Sequence, residues 1–497
     1  MAFRTPWETT HVQRTVLLGL PNYTELKMNP YRFRLGLTIV VGIIGSYLLL
    51  VPPIIGLANE SDFSRLMDPF GIAYPPNLSN GQQYWCFTDS HFIFAEPHES
   101  HFITSQFLFV APAVVLNRLV TKPNIFDIRF LAALELAVLL LLFWRLSRLI
   151  QHIGKRGQWI GLAVLTLVVT DVRNLAFFNT FYCDQATFLF GLTFVLSLFE
   201  FLSNPSPLAI GFLTCASLLL TTAKAQLAPT GIVIAFCIAV LPFVVRGWHS
   251  LLRYCLPAAA VILATSLWFG LGLSSTYSNT ALYNSVFNGL LFESDKPAED
   301  LATLGINPAA VVYKDTSAWS PKIAGPELFP GTATVPKLFL FYMLRPKYLL
   351  RRTYRVITQT QLSNQLRELG NFERGYGYPC QAQTNAFSIW DPMRSSLARP
   401  RIVAVFFLVT MAAALVFAIR RNSPYAIGYL ILGIMAIASF FVAALGDMVD
   451  RRHLVFFNFL FDCCICCTSV YAMDKVRRTW ISLHASDDEG IKKDVKY

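Results

Sequence analysis

Stretches of about 20 predominantly apolar residues recur from one end of this 497-residue chain to the other, each long enough to cross the hydrocarbon core of a bilayer as a helix. That recurrence leaves few folds open. The runs are continuous rather than alternating, which excludes a membrane β-barrel, and 54% hydrophobic residues with a mean hydropathy of +0.48 exclude a soluble chain. The sequence reads as an all-α polytopic membrane protein. Met1 to Arg34 is polar and long, and no small-residue cleavage site follows the first apolar run, so no cleavable signal is expected.

The net charge of +11 does not point to nucleic acid as a partner, because most basic residues flank apolar segments, where they set topology and meet headgroups. Lys27, Arg32 and Arg34 precede the first span, about 35–55, and place the N-terminus in the cytoplasm. A long first outer loop, about 56–103, follows. The segment 104–119 is interrupted by Pro112 and trailed by Arg118 and Lys122. If it crossed, the next span would carry Arg145, Arg148, Lys155 and Arg156 outward, so it is read as a surface or re-entrant helix, or as half of a hairpin. Spans at 129–149, 158–172, 186–203, 207–222, 226–243 and 254–273 then alternate. A polar stretch, 274–400, lies outside, and spans at 402–419, 425–445 and 454–472 close the chain, with Arg420, Arg421, Lys475, Arg477 and Arg478 inside. The expected organisation is a transmembrane module 1–273, a mixed outer domain 274–400, C-terminal helices 401–480 and a cytoplasmic tail 481–497.

With that topology, polar residues gather at the outer ends of the spans. Asn59-Glu60-Ser61-Asp62 opens the first outer loop, and Asp62 and Arg65, at i and i+3, share a face if the stretch turns helical. The competing reading is an interfacial turn whose charges are solvated. Asp171 and Arg173 close one span, Tyr182 and Asp184 open the next, Lys224 lies in a short outer turn, and Asp447, Asp450, Arg451, Arg452 and His453 fill the last. Ionisable groups at membrane depth are costly, which makes them functional candidates. Arg451-Arg452-His453 at a helix start suits a phosphate or diphosphate, since helix N–H groups and guanidinium forks both favour such an anion.

Other clusters weigh less. Arg345, Lys347, Arg351, Arg352 and Arg355 read as an amphipathic helix on the outer leaflet, with lipid headgroup contact ahead of substrate contact. Glu96, His98, Glu99 and His101 are loosely spaced with no second His/Cys pair, so a solvated loop is expected rather than a metal site. Cys463, Cys464, Cys466 and Cys467 read as packing, with acylation the weaker alternative. Cys86 and Cys380 fall outside the spans on one face and could pair, although sequence does not establish their proximity.

This layout resembles the GT-C superfamily of polyprenyl-phosphate-sugar-dependent glycosyltransferases, and more narrowly bacterial membrane hexosyltransferases of surface-glycan biosynthesis. The closer likeness is carried by Asn59 to Gly71, Asn179 to Gln185, Tyr283 to Gly289 with Asp300 to Gly305, and Gly446-Asp447 with Arg452-His453. It implies a GT-C-like bundle of about 10 to 11 transmembrane helices in a bacterial inner membrane, with both termini cytoplasmic and an extracytoplasmic active site. The implied donor is a polyprenyl-phosphate-linked sugar, the acceptor a glycan or lipid-linked glycan, the transfer inverting, and no metal or other cofactor is required. Members differ in whether Asp or Glu acts, so Asp62 is the expected general base with Glu60 its competitor. Arg451, Arg452, His453 and Lys224 are expected at the donor phosphate, Tyr182 and Asp184 at sugar or acceptor hydroxyls, and Arg65 beside Asp62. The chemistry fits, since a sugar on a lipid phosphate needs a base for the acceptor and cations for the departing phosphate, not a strong general acid. A flippase for lipid-linked oligosaccharides and an outer-face glycan ligase are the rivals. A flippase should carry inverted repeats and mid-membrane charges, which this sequence lacks.

Overall fold

The computed structural model describes residues 30–98, 102–121, 124–151, 157–272, 275–318, 333–446 and 450–472. Lys27, Glu99, His101, Lys122, Lys155, Arg156, Asp447, Lys475, Arg477, Arg478 and the tail 481–497 lie outside the described residues.

Among the described residues, eight helices are long and apolar enough to cross a membrane. They are α1 (Tyr31–Leu50), α3 (Arg129–Gln151), α5 (Asp184–Ser203), α7 (Ala225–Val244), α8 (His249–Leu271), α12 (Pro400–Arg421), α13 (Pro424–Gly446) and α14 (Arg452–Ala472). A ninth arises if α4 (Gly157–Thr170) is taken with Val172–Asn179, from which it is bent by 48°. The bend has a local cause: Asp171 is extended and its carboxylate accepts the Arg173 N–H, ending one helix and capping the next. Of the 10 to 11 expected spans, eight or nine meet this test of length and composition among the described residues. The difference lies in α2 (Phe107–Val120, 14 residues) and α6 (Pro207–Thr221, 15 residues). At 1.5 Å per residue these reach only ~21 and ~22 Å, short of the ~30 Å hydrocarbon core. Even so, α6 returns the chain to the end from which α5 set out, since Lys224 after α6 meets Asp184 at the start of α5, Nζ to Oδ1 2.9 Å. Helix α5 is apolar on every side and 83% buried, so it forms the centre, whereas α1 and α12 at 22% form the rim.

The first loop is folded. Strands β1 (Ile72–Ala73), β2 (His91–Phe94) and β3 (Ile125–Asp127) form an antiparallel sheet in the order β1-β2-β3, with Ile72 opposite Phe94 and Phe92 opposite Phe126. Phe92 and Phe126 are buried, both against Phe181. Among the described residues, strand structure thus belongs to the first loop and the chain just beyond α2. Between α8 and α12 the described residues hold helices, turns and isolated bridges only.

That later segment divides between two cores. Leu282, Phe287, Leu290, Leu301, Leu338 and Phe341 build a small one of their own, whereas Leu362, Leu366, Leu369 and Trp390 join the main core of the bundle. The second part is stitched to the first loop by a Cys86–Cys380 disulfide and by the close approach of Gly370, where a Cβ would fall 1.8 Å from the Cys86 carbonyl oxygen. It is locked below by a buried network on α11 (Trp390–Leu397): Asp391 accepts from Ser363 Oγ (2.6 Å) and Asn364 N (2.7 Å) and pairs with Arg173 and Arg394. Arg394 also reaches Asp462 on α14 at 2.6 Å.

The basic patch lies at the end of α9 (Val335–Leu344) and along α10 (Pro346–Thr360), where its side chains also find partners within the chain. Arg345 pairs with Asp300, and Lys347 and Arg351 each reach Asp295 at 2.7 Å. Arg355 lies 3.4 Å from Glu293, and the buried Arg352 donates to the Ala444 carbonyl at the end of α13 (2.7 Å). Five cations are thus taken up by carboxylates and a helix C-terminus within the chain.

Candidate active site

The segment after α1 is held to the bundle by its backbone. Asn179 Nδ2 donates to the carbonyls of Leu49 and Ile55, both at 2.9 Å, and Glu373 accepts the Ile54 N–H at 2.9 Å. The Tyr182 hydroxyl donates to the Ala58 carbonyl and accepts the Glu60 N–H, both at 2.8 Å. Ser61 then takes a left-handed conformation (φ 74°), and the single helical turn Ser64–Met67 follows. Non-glycine residues in that region are held there by their surroundings, and here the Tyr182 bonds to Ala58 and Glu60 fix the chain just ahead of Ser61. The turn brings Asp62 Oδ1 within 3.0 Å of Arg65 Nη2, the i, i+3 pair that the spacing anticipates.

Arg452 rises from the start of α14 into the middle of this group. Its Nη2 contacts Asp62 Oδ2, its Nη1 lies 3.6 Å from Glu60 Oε2, and its Nε lies 4.0 Å from Asp184 Oδ2. Its guanidinium carbon stacks 4.6 Å from the centre of the Tyr182 ring. Asp450 Oδ1 accepts the Arg452 N–H at 2.9 Å. Asp184 meets Arg452 on one oxygen and Lys224 on the other. One buried guanidinium therefore faces three carboxylates, and its Nε and Nη1 have no hydrogen-bond partner at normal length. Buried guanidinium N–H groups of that kind suit an oxyanion.

The two loop carboxylates are tuned in opposite directions. Burial alone would raise Asp62, but the guanidiniums of Arg452 and Arg65 outweigh it and hold the carboxyl below its ordinary range. Burial pushes Glu60 up to about 7, against the pull of the more distant Arg452. Asp450 is held low despite burial by His453 and Arg452. Among the described residues, no three His, Cys, Asp or Glu side chains converge as a metal site would need.

The family model for the YfdI N-terminal transmembrane domain, a GT-C-type glycosyltransferase, matches residues 22–494 of the chain. The chain belongs to this family. No curated protein matches its sequence. Among solved structures it is similar to the archaeal oligosaccharyltransferase AglB from Archaeoglobus fulgidus in complex with an inhibitory peptide and a dolichol-phosphate, at 12% identity and a TM-score of 0.41 over 92% of this chain and 52% of that one. The oligosaccharyltransferase of the same organism in its apo form matches at 10% identity and a TM-score of 0.38 over 91% of this chain and 52% of that one. The chain spans about half the length of these solved structures.

In this YfdI-family chain the residues singled out by sequence separate into two groups. Glu60, Asp62, Arg65, Asp184, Lys224 and Arg452 form one contiguous charged cluster. Arg451 turns away and donates to the carbonyls of Thr360 (3.2 Å) and Gln359 (3.4 Å), capping the end of α10. Tyr182 is buried, its hydroxyl donating to the Ala58 carbonyl and accepting the Glu60 N–H, so it holds the loop from below. His453 is anchored through its carbonyl, which accepts from Gln226 Nε2 at 2.9 Å. Sequence reasoning noticed Asp450 among the outer charges without giving it a role. Arg394 and Asp391 escaped it: they pair with each other at i, i+3, but their further ion-pair partners, Asp462 and Arg173, lie far off in sequence.

Proposed function

We propose that this chain is a membrane glycosyltransferase moving a sugar, a hexose, from a polyprenyl-phosphate donor to a glycan or lipid-linked acceptor at the extracytoplasmic face of a bacterial inner membrane. The observation that carries the reading is the Asp62–Arg452 contact, which sets a carboxylate beside a buried guanidinium whose Nε and Nη1 lack hydrogen-bond partners. In the proposed reaction the donor phosphate takes those N–H groups and draws Arg452 off Asp62. Freed of that cation, Asp62 regains basicity and accepts the proton of the acceptor hydroxyl. The acceptor oxygen bonds to the anomeric carbon from the opposite side, the carbon–oxygen bond to the phosphate breaks, and the electron pair leaves on the lipid phosphate. Arg452, with Lys224 behind Asp184, meets the charge that develops there. The configuration is inverted.

A second reading rests on one observation. Glu60, raised by burial to about 7, matches the basicity a general base needs near neutral pH, and its side chain is the more exposed of the two. Mass spectrometry of surface glycan from cells with and without the chain tests the reaction class. A glycan lacking one hexose supports a transferase. An intact accumulated precursor would instead identify a flippase or a ligase.

A further inference from the structure

Helices α9 and α10 meet at an elbow whose outward side is apolar. On α9, Pro336, Leu340, Met343 and Leu344 follow the i, i+4, i+7, i+8 spacing of one helix face and are exposed, as are Leu350 and Tyr354, four residues apart, on α10. The opposite faces are buried through Leu338, Phe341, Tyr342 and Tyr348 in the small core. Lys337 and Lys347 are exposed beside the patch. A contiguous apolar patch with a polar rim marks a surface that meets either a membrane or another protein.

The height of the elbow decides between them. Arg352 of α10 donates to the carbonyl of Ala444, in the last turn of the spanning helix α13. At the C-terminal end of α10, two turns further on, the carbonyls of Gln359 and Thr360 are held by Arg451, at the start of the spanning helix α14. Both anchors tie α10 to the level at which spanning helices end, which is the interface between hydrocarbon and headgroups. We infer that the α9–α10 elbow is seated in the lipid leaflet on the side of the charged cluster, with Leu340, Met343, Leu344, Leu350 and Tyr354 among the acyl chains. The apolar side chains carry this contact, while Arg345, Lys347, Arg351 and Arg355 are engaged by the chain's own Asp300, Asp295 and Glu293. Tyr354, apolar in its ring with a polar tip, suits the interface itself. Insertion is independent of which sugar or acceptor the site uses.

Hydroxyl-radical footprinting of the full chain in phosphatidylethanolamine–phosphatidylglycerol nanodiscs tests the seating without any substitution. Met343 (67% exposed) and Tyr354 (62%) are read against Met393 (51%) and Tyr376 (48%), which lie on the segment stitched to the first loop. With the elbow in lipid, Met343 and Tyr354 oxidise about tenfold more slowly than those controls, although they are the more exposed pair in the protein alone. Lipids carrying a diazirine in the acyl chain should also label the Met343–Leu344 peptide on illumination. Oxidation at the rate of the controls would overturn the inference. So would protection without lipid adducts, which would identify a protein cover in place of the membrane.

Discussion

Arg452 and Asp62 stand 390 residues apart in sequence and in direct contact in the fold, Nη2 against Oδ2. The contact joins the start of the last spanning helix to the loop after the first. It also leaves the expected base paired with a cation before any substrate arrives, and two guanidiniums hold Asp62 low. A carboxylate so held is a weak base. The proposed chemistry therefore couples two events: an anionic donor that claims Arg452 also releases the group that activates the acceptor.

Separating Asp62 from Glu60 is the first test. Asp62→Asn preserves size and removes the base, and we expect the turnover number to fall by about 10²–10⁴-fold with expression and melting temperature close to the parent. Glu60→Gln should retain transfer within a few-fold. Turnover of a polyprenyl-phosphate-hexose, measured for both variants in detergent, decides. An active Asp62→Asn beside a dead Glu60→Gln moves the base to Glu60.

Glu60 also predicts a pH dependence of stability. Its ordinary value is 4.5, and burial raises it to about 7 in the folded chain. Between those values the folded chain keeps a proton that the unfolded chain has released. The stabilising effect is thus complete below the ordinary value and is lost as pH rises through about 7. The melting temperature should fall between about pH 5 and about pH 8, and Glu60→Gln should flatten that fall. An equal slope in parent and variant would remove Glu60 as its source. Asp62 and Asp391, both held low, act in a different window: their contribution is present at neutral pH and fades only in acid, below their ordinary range.

The Cys86–Cys380 bridge spans 294 positions and joins the first loop to the segment that carries Gly375 and Gly377, both at positive φ. The spanning helices remain inserted when it is cut, so only the loops gain freedom. Cys380→Ser should therefore leave the main unfolding transition nearly unchanged while proteolysis near Gly375 speeds up by about tenfold or more. Limited proteolysis with mass mapping measures this. Equal cleavage rates with and without the bridge would mean that the hydrogen bonds of Gly370, Asn371 and Arg374 hold the segment alone.

The spans were legible because hydropathy repeats locally, and so was the Asp62–Arg65 pair, whose geometry depends on a spacing of three. The gathering of Asp184, Lys224 and Arg452 around Asp62 was legible only as a shared side of the membrane. What escaped sequence depends on partners that no local pattern names. Arg451 and Arg452 carry the same charge at adjacent positions, and only the placement of α10 sends the first to a helix end. The hold of Tyr182 on the backbone of Ala58 and Glu60, more than 120 positions earlier, has no local signature either. The basic run on α10 suggested headgroups because Asp295, Asp300 and Glu293 lie about 45 to 60 positions earlier. Strands of two to four residues left no alternation long enough to read.

The last prediction rests on that divergence of two neighbouring arginines. Arg452→Ala leaves Asp62, Glu60 and Asp184 facing one another without the buried cation, and loss of one partner from such a group costs about 3–5 kcal/mol. The variant should melt lower and bind donor phosphate poorly. Arg452→Lys keeps a charge and restores much of the stability, but loses the planar fork, so its donor KM should stay about tenfold above the parent. Arg451→Ala removes only a cap on α10 and should cost about 1 kcal/mol with donor KM unchanged. Thermal unfolding and donor kinetics of the three variants give the answer. A donor KM that rises equally for Arg451→Ala and Arg452→Lys would return both arginines to the phosphate and would falsify the separation of roles.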